Sequence, residues 1–209
     1  MTQSGGVTQS GGMTQSGGMT QSGGMAQSGR LTQNGRLTSG RRPSWKTGLM
    51  TMVMVPVTIF DLRALVDDGR LDGERRGIAA DDALADEFGV EPGEEAEAAA
   101  LQLADVLGLT VGSAPARRQV LVAEVPASHL VWTAGVVATV QTPISIAQVL
   151  SFFTGTCDSA LAACAHGLDI DAAWVLPGVQ EMLAEHPLEW HDVGELATWL
   201  KSLDELVQP

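Results

Sequence analysis

From residue 50 onward, apolar and polar positions fall into short periodic units; before it they do not. Residues 52–57 are a nearly continuous apolar run suited to a buried strand, and Pro56 marks its end, since proline has no N–H to give a sheet ladder. Thr58 stands three residues before Asp61, the spacing of a helix capping box. Leu62, Leu65 and Val66 then share one helical face, and Gly69 supplies a left-handed stop. The pattern predicts a strand feeding directly into a helix.

Further along, residues 70–78 read as a polar connection and 79–88 as a short helix ended by Gly89. Pro92 and Gly93 make a turn before a helix over 94–107, whose Ala96, Ala99, Leu103, Val106 and Leu107 face one way. Its acids gather at the N-terminal end, where the helix dipole favours them. Residues 108–112 (GLTVG) read as a helix stop and turn. Strands are predicted over 118–125, 136–140 and 149–154, and helices over 158–166, with Thr156 as the cap and Gly167 as the stop, and over 178–185. Residues 171–175 fit no single pattern. A strand at 188–191 leads into Asp192 as a cap with Glu195 three residues on, and Leu196, Trp199, Leu200, Leu203 and Val207 complete an amphipathic face. Strand, cap and helix thus occur at both ends of residues 50–209. The fold class expected is α/β, with α+β as the alternative: one compact domain with helices laid on a mixed sheet.

Residues 1–49 are different. Hexapeptides of the MTQSGG type follow one another to residue 40, with too little apolar surface to offset the entropy of ordering a chain, so this tail is expected to be disordered. Repeats this uniform resemble a recent expansion, and the expectation is a translation start at Met50 or Met52 with the repeats upstream of it. The functional alternatives are a flexible tether or an arm that sticks to the acidic body of a neighbouring molecule.

Charge separates the two parts further. Residues 1–49 carry five basic residues and no acid; residues 50–209 carry the other seven basic residues against all 25 acids, a net −18. A body that acidic repels a phosphate backbone, which argues against nucleic-acid binding by its surface. Cys157 and Cys164 lie in an alanine-rich run at a helical separation too long for a disulfide, and are expected to be small buried apolar residues in a reducing, cytoplasmic setting. Arg41 and Arg42 ahead of residues 49–60 imitate a twin-arginine signal, but Asp61 and Arg63 follow at once without a cleavage site. Residues 130–157 lack charge over a length that could span a bilayer, yet Gln141, Thr142, Pro143, Ser145 and Gln148 interrupt them, so buried strands are expected instead.

Recognised catalytic signatures are missing: no G-x-G-x-x-G, no P-loop, no G-x-S-x-G, no H-E-x-x-H and no C-x-x-C. Three weaker groupings remain. Residues 155–159 (GTCDS) make a strand-to-helix turn where Cys157 or an anion could sit at a helix N-terminus. Arg117 and Arg118 open a strand, and either meet an anionic ligand or bridge to surrounding acids, the second being favoured in so acidic a body. Glu185, His186, Glu189, His191 and Asp192 form the densest polar cluster; on a strand Glu189 and His191 point to one face, where a carboxylate and an imidazole could transfer protons or hold a divalent metal. Trp190 and Trp199 are expected to pack together, and Trp132 and Trp174 to line a partner groove.

The segments 55–71 (VPVTIFDLRALVDDGRL), 96–104 (AEAAALQLA), 117–125 (RRQVLVAEV) and 188–200 (LEWHDVGELATWL) together resemble an uncharacterised family of small actinobacterial proteins, a domain of unknown function. The resemblance runs from residue 52 to 200. Val57 stands where similar members carry alanine, and His191 where they carry an aromatic, which speaks against an imidazole essential to the fold's common role. No activity comes with the resemblance.

The function expected from all this is a non-enzymatic, cytoplasmic, acidic protein-interaction or regulatory module whose partner is another protein, with Trp132 and Trp174 as its surface. The alternative is a small enzyme using Glu189 and His191, with or without a metal. A third reading has the basic tail engage nucleic acid or an anionic surface. No cofactor, no membrane association and no nucleic-acid contact by the body are expected.

Overall fold

The expected opening unit forms as a strand and a capped helix. In the computed structural model, which describes residues 50–111, 117–141 and 143–207, β1 spans Met50–Pro56 and α1 spans Ile59–Asp68. Thr58 caps α1: its hydroxyl accepts from the Asp61 N–H at 3.2 Å, and its own N–H donates to the Asp61 carboxylate at 2.8 Å. Gly69 closes the helix at φ 72°, a left-handed conformation that glycine adopts without a Cβ penalty.

The strands that follow are β2 (Arg70–Leu71), β3 (Arg75–Ala79), β4 (Arg117–Pro126), β5 (Leu130–Ala134), β6 (Val137–Val140), β7 (Ile144–Ser145), β8 (Val149–Thr156) and β9 (Glu189–Asp192). Seven of them make one sheet in the order β5-β6-β3-β1-β4-β8-β9, while β2 and β7 pair as a separate ribbon. Each described pairing is antiparallel, so the α+β alternative is the one adopted and the sheet is not mixed. The polar connection expected over 70–78 contributes two of these strands. Gly77 is what lets β3 close on β1: a Cβ there would lie 2.8 Å from the Met54 carbonyl oxygen and 2.8 Å from Val53 Cγ1. The charge-free segment becomes β5 to β8, and among the described residues no helix is long and apolar enough to cross a membrane.

Helices cover both faces because the strands are apolar on both. In β1, Val53 and Val55 point to one side and Met52 and Met54 to the other. On the first side lie Leu62 and Leu65 of α1 and Leu196 and Leu200 of α7 (Leu196–Val207), and an Arg63–Asp204 ion pair joins the two helices. The second side is filled chiefly by α3 (Glu94–Val111), flanked by α2 (Asp82–Phe88), α4 (Ser159–Ala165), α5 (Ile170–Trp174) and α6 (Pro177–Glu185). All described residues belong to one compact unit.

Two local expectations are corrected and a third is refined. Gly108 does not stop α3, which runs on to Val111; its missing Cβ admits Pro56, whose own Cβ would stand 3.1 Å from one placed there. Asp158, not Thr156, caps α4, accepting from the Ala160 N–H at 2.8 Å, while Thr156 ends β8. Asp192 and Glu195 do form a capping box, but around a 3-10 turn over Val193–Glu195 that leads into α7. The expected tail over 1–49, the turn at Gly112 and the side chain of Val207 lie outside the described residues.

Candidate functional site

One end of the sheet opens into a cleft of ≈ 370 Å³. Its walls come from the end of β1 and the cap of α1 (Thr58, Asp61), the start of β3 (Glu74, Arg75, Arg76), the start of β4 (Arg117, Arg118) and the C-terminal turns of α3 (Asp105, Gly108). Antiparallel pairing explains the convergence. β1 finishes where its neighbours β3 and β4 begin, so arginines far apart in sequence meet at one edge.

At the back of the cleft sits a buried ion pair. Arg118 and Asp105 are each 3% exposed, and Nη1 of Arg118 donates to Oδ2 of Asp105. The rest of the guanidinium is also used: Nε donates to the Thr156 carbonyl at 2.8 Å and Nη2 to the His186 carbonyl at 2.5 Å. Arg118 therefore ties α3, the end of β8 and the C-terminus of α6 together, and the α6 carbonyl it satisfies is one the helix itself leaves open. Gly155 makes room for it, since a Cβ there would lie 2.8 Å from Nη2 of Arg118 and 2.9 Å from Cδ2 of Leu188. Burial pushes the Asp105 carboxyl up to about 6, against the downward pull of the Arg118 charge and hydrogen bond.

Nearer the mouth, Nη2 of Arg75 donates to Oδ1 of Asp61 at 2.9 Å, so the carboxylate that closes the α1 capping box also anchors β3. Arg76 is exposed, Arg117 is half-buried, and among the described residues neither takes part in an ion pair. Two side-chain atoms of residues lining this cleft, Nε of Arg75 and Oδ1 of Asp105, are themselves closed off from solvent and make no hydrogen bond among the described residues.

Arg118 thus meets an acid, the outcome favoured for it, whereas Arg117 stands without one at the open mouth. Sequence reasoning missed Arg75, Arg76 and Asp105. The one legible signal was Asp105, the only charged residue between Glu97 and Arg117 and a member of a helix turn otherwise apolar on every side.

Glu189 and His191 are not brought into contact with each other among the described residues. Glu189 lines a second cleft, of ≈ 380 Å³, with Glu185, His186 and Gly155, which also has Arg117 and Arg118 in its wall. His191 stacks on Phe152 with ring centroids 4.7 Å apart, and its Nε2 shares a hydrogen bond with the Thr154 hydroxyl at 2.9 Å. No group of three or more His, Cys, Asp or Glu side chains among the described residues is placed to hold a metal ion.

The cysteines differ from expectation. Cys157 is half-buried ahead of α4, and Cys164 is exposed because α4 turns Ala162 and Ala165 against the core instead; neither thiol is in a disulfide. Burial pushes the Cys157 thiol up, with Arg118 opposing, so a thiolate nucleophile at this turn is disfavoured. Trp190 and Trp199 do not pack together. They project from opposite faces, Trp199 against Phe152 and His191, and Trp190 outward at 60% exposure. Trp132 and Trp174 likewise pack on opposite faces of the sheet, each partly buried, and share no groove.

Fold and cleft together define an antiparallel α+β domain with an arginine-lined opening at one end of its sheet. The chain belongs to the Family of unknown function (DUF6912), whose model matches residues 51–200, a span that holds every residue lining the cleft. Comparison with curated proteins and comparison with solved structures return no significant match.

Proposed function

We propose that this domain is a non-enzymatic regulatory module of the cytoplasm that acts by binding, with the arginine cleft as its site and an anion as the group it recognises. One observation carries the reading: four of the seven basic residues in 50–209 line this cleft, beside three of the 25 acids. Two of those arginines are neutralised by Asp105 and Asp61, and Arg76 and Arg117 remain for a ligand. The acidic surface elsewhere selects for size. A long polyanion such as nucleic acid, or an anionic membrane, meets repulsion over most of its contact, whereas a small anion enters the cleft and meets only its local field. The non-enzymatic reading is supported by His191, whose ring is occupied by Phe152 and Thr154.

Calorimetric titration of the full chain with inorganic phosphate at fixed ionic strength tests this. An Arg76→Ala/Arg117→Ala variant should lose about tenfold or more in affinity with its melting temperature unchanged. Equal affinity in the two proteins, or no binding by the wild type, contradicts the proposal.

A protein partner is the second reading, and the apolar edge around β9 favours it. Trp190 is 60% exposed and Leu150 43%, and both border a shallow groove with Phe153 and Met52. Trp190→Ser should abolish capture of such a partner by the full chain while leaving phosphate binding intact; an unchanged set of captured proteins removes this reading.

A further inference from the structure

The groove beside Trp190 lies where α3 begins, on the face of the sheet that this helix covers. Its floor crosses four adjacent strands, with Met54 from β1, Val122 from β4, Phe153 from β8 and Trp190 from β9. Three strand spacings make that floor about 14 Å long, and the groove holds ≈ 320 Å³, the scale of a short stretch of peptide. Glu94 and Glu97 of α3 stand on its rim.

The charges of this groove have one sign. None of the seven basic residues in 50–209 lines it, and neither rim glutamate takes part in an ion pair among the described residues. Acids in a first turn suit the helix dipole. The dipole does not account for the apolar surface left open in front of them, where Trp190 is 60% exposed and Leu150 43%. A second copy of the chain, at −18 over 50–209, would meet repulsion here. A basic segment carrying an aromatic or branched apolar side chain is complementary on both counts. Its cations face the two carboxylates and the Trp190 ring, and its apolar side chain covers Phe153.

We propose that this groove docks a basic, apolar peptide segment, its cations against Glu94 and Glu97 and its apolar side chain against Trp190 and Phe153. This rests on the protein-partner reading above and adds the partner's charge. Residues 41–49, RRPSWKTGL, supply a probe of that chemistry, with three bases, one tryptophan and no acid.

Calorimetry of the full chain compares a synthetic peptide of this sequence with a counterpart that carries glutamine at the three basic positions. The basic peptide should bind about tenfold or more tightly. Glu94→Gln/Glu97→Gln should remove most of that preference. Asp67→Asn/Asp68→Asn, which takes the same charge from an exposed site on α1, should leave it unchanged, and melting curves verify that both variants are folded. Because the chain's own residues 41–49 would compete, the titration is repeated on the full chain with Arg41, Arg42 and Lys46 replaced by glutamine. Binding seen only there supports the inference and makes that segment the occupant. A preference lost equally in the two acid variants reports the overall charge of the body and overturns the inference. Equal binding of the two peptides that disappears in Trp190→Ser also overturns it, while the partner reading stands. If neither peptide binds either form of the chain, the inference falls, and the capture experiment alone decides the partner reading.

Discussion

Replacing Arg118 by methionine should destabilise the domain by about 3–5 kcal/mol near pH 8, the cost of leaving a buried charge without its partner. The residue left behind is Asp105, 3% exposed at the end of α3, and the same change also strips the Thr156 and His186 carbonyls of their donor. The penalty should depend on pH. In the native protein Asp105 titrates at about 6, above its ordinary 3.8, so its protonated form favours the fold. That contribution is fully present below about pH 4 and is lost as pH rises through about 6. Without Arg118 nothing pulls the carboxyl down, and its titration moves higher still. Urea unfolding of Arg118→Met against wild type should therefore show a much smaller difference at pH 5 than at pH 8. Equal penalties at the two values would mean that Asp105 is not the group responsible. Removing both charges in Asp105→Leu/Arg118→Met should recover much of the loss, because a buried pair is often replaceable by apolar residues of similar volume.

Phe152→Ala carries the next largest expected effect, about 3–5 kcal/mol for a wholly buried aromatic. Phe152 sits on β8 at 0% exposure, stacked on His191 and edge-on to Trp199 at 5.5 Å, so it joins β9 and α7 to the sheet. The opposite face of the same edge offers the control. Trp190→Ala, which removes a larger ring that is mostly in solvent, should cost within about 0.5 kcal/mol, as exposed substitutions do. Denaturant midpoints decide it, and a Trp190 effect equal to that of Phe152 would contradict the placement of these two rings.

What could be read from the chain was local. Thr58 with Asp61, Gly69, Gly89, and Asp192 with Glu195 act within one turn of backbone, and each does in the fold what its spacing implies. β3 was not legible, because Gly73 and Gly77 bracket two arginines and leave only Ile78 and Ala79 as apolar signal. Its strand character comes from β1 and β6 on either side, contacts that no window of sequence contains. The tryptophans misled for a related reason: neighbours at the β9–α7 corner, Trp190 and Trp199, are separated by the sheet itself, since odd and even positions of β9 face opposite layers. The cleft was illegible as a site because Thr58, Arg75, Asp105 and Arg117 come from four elements. Only the antiparallel order of the sheet draws them together. Arg117 and Arg118 were visible as a pair, but their division of labour was not: alternation along β4 buries one against α3 and leaves the other at the opening.

The most direct measurement is a two-dimensional NMR titration of the full chain with inorganic phosphate, following the arginine Nε–H resonances. The account predicts saturable shifts for Arg75, Arg76 and Arg117 with little change at Arg63 and Arg70, which lie outside the cleft. Shifts spread evenly over all the arginines, or none at millimolar phosphate, would contradict it.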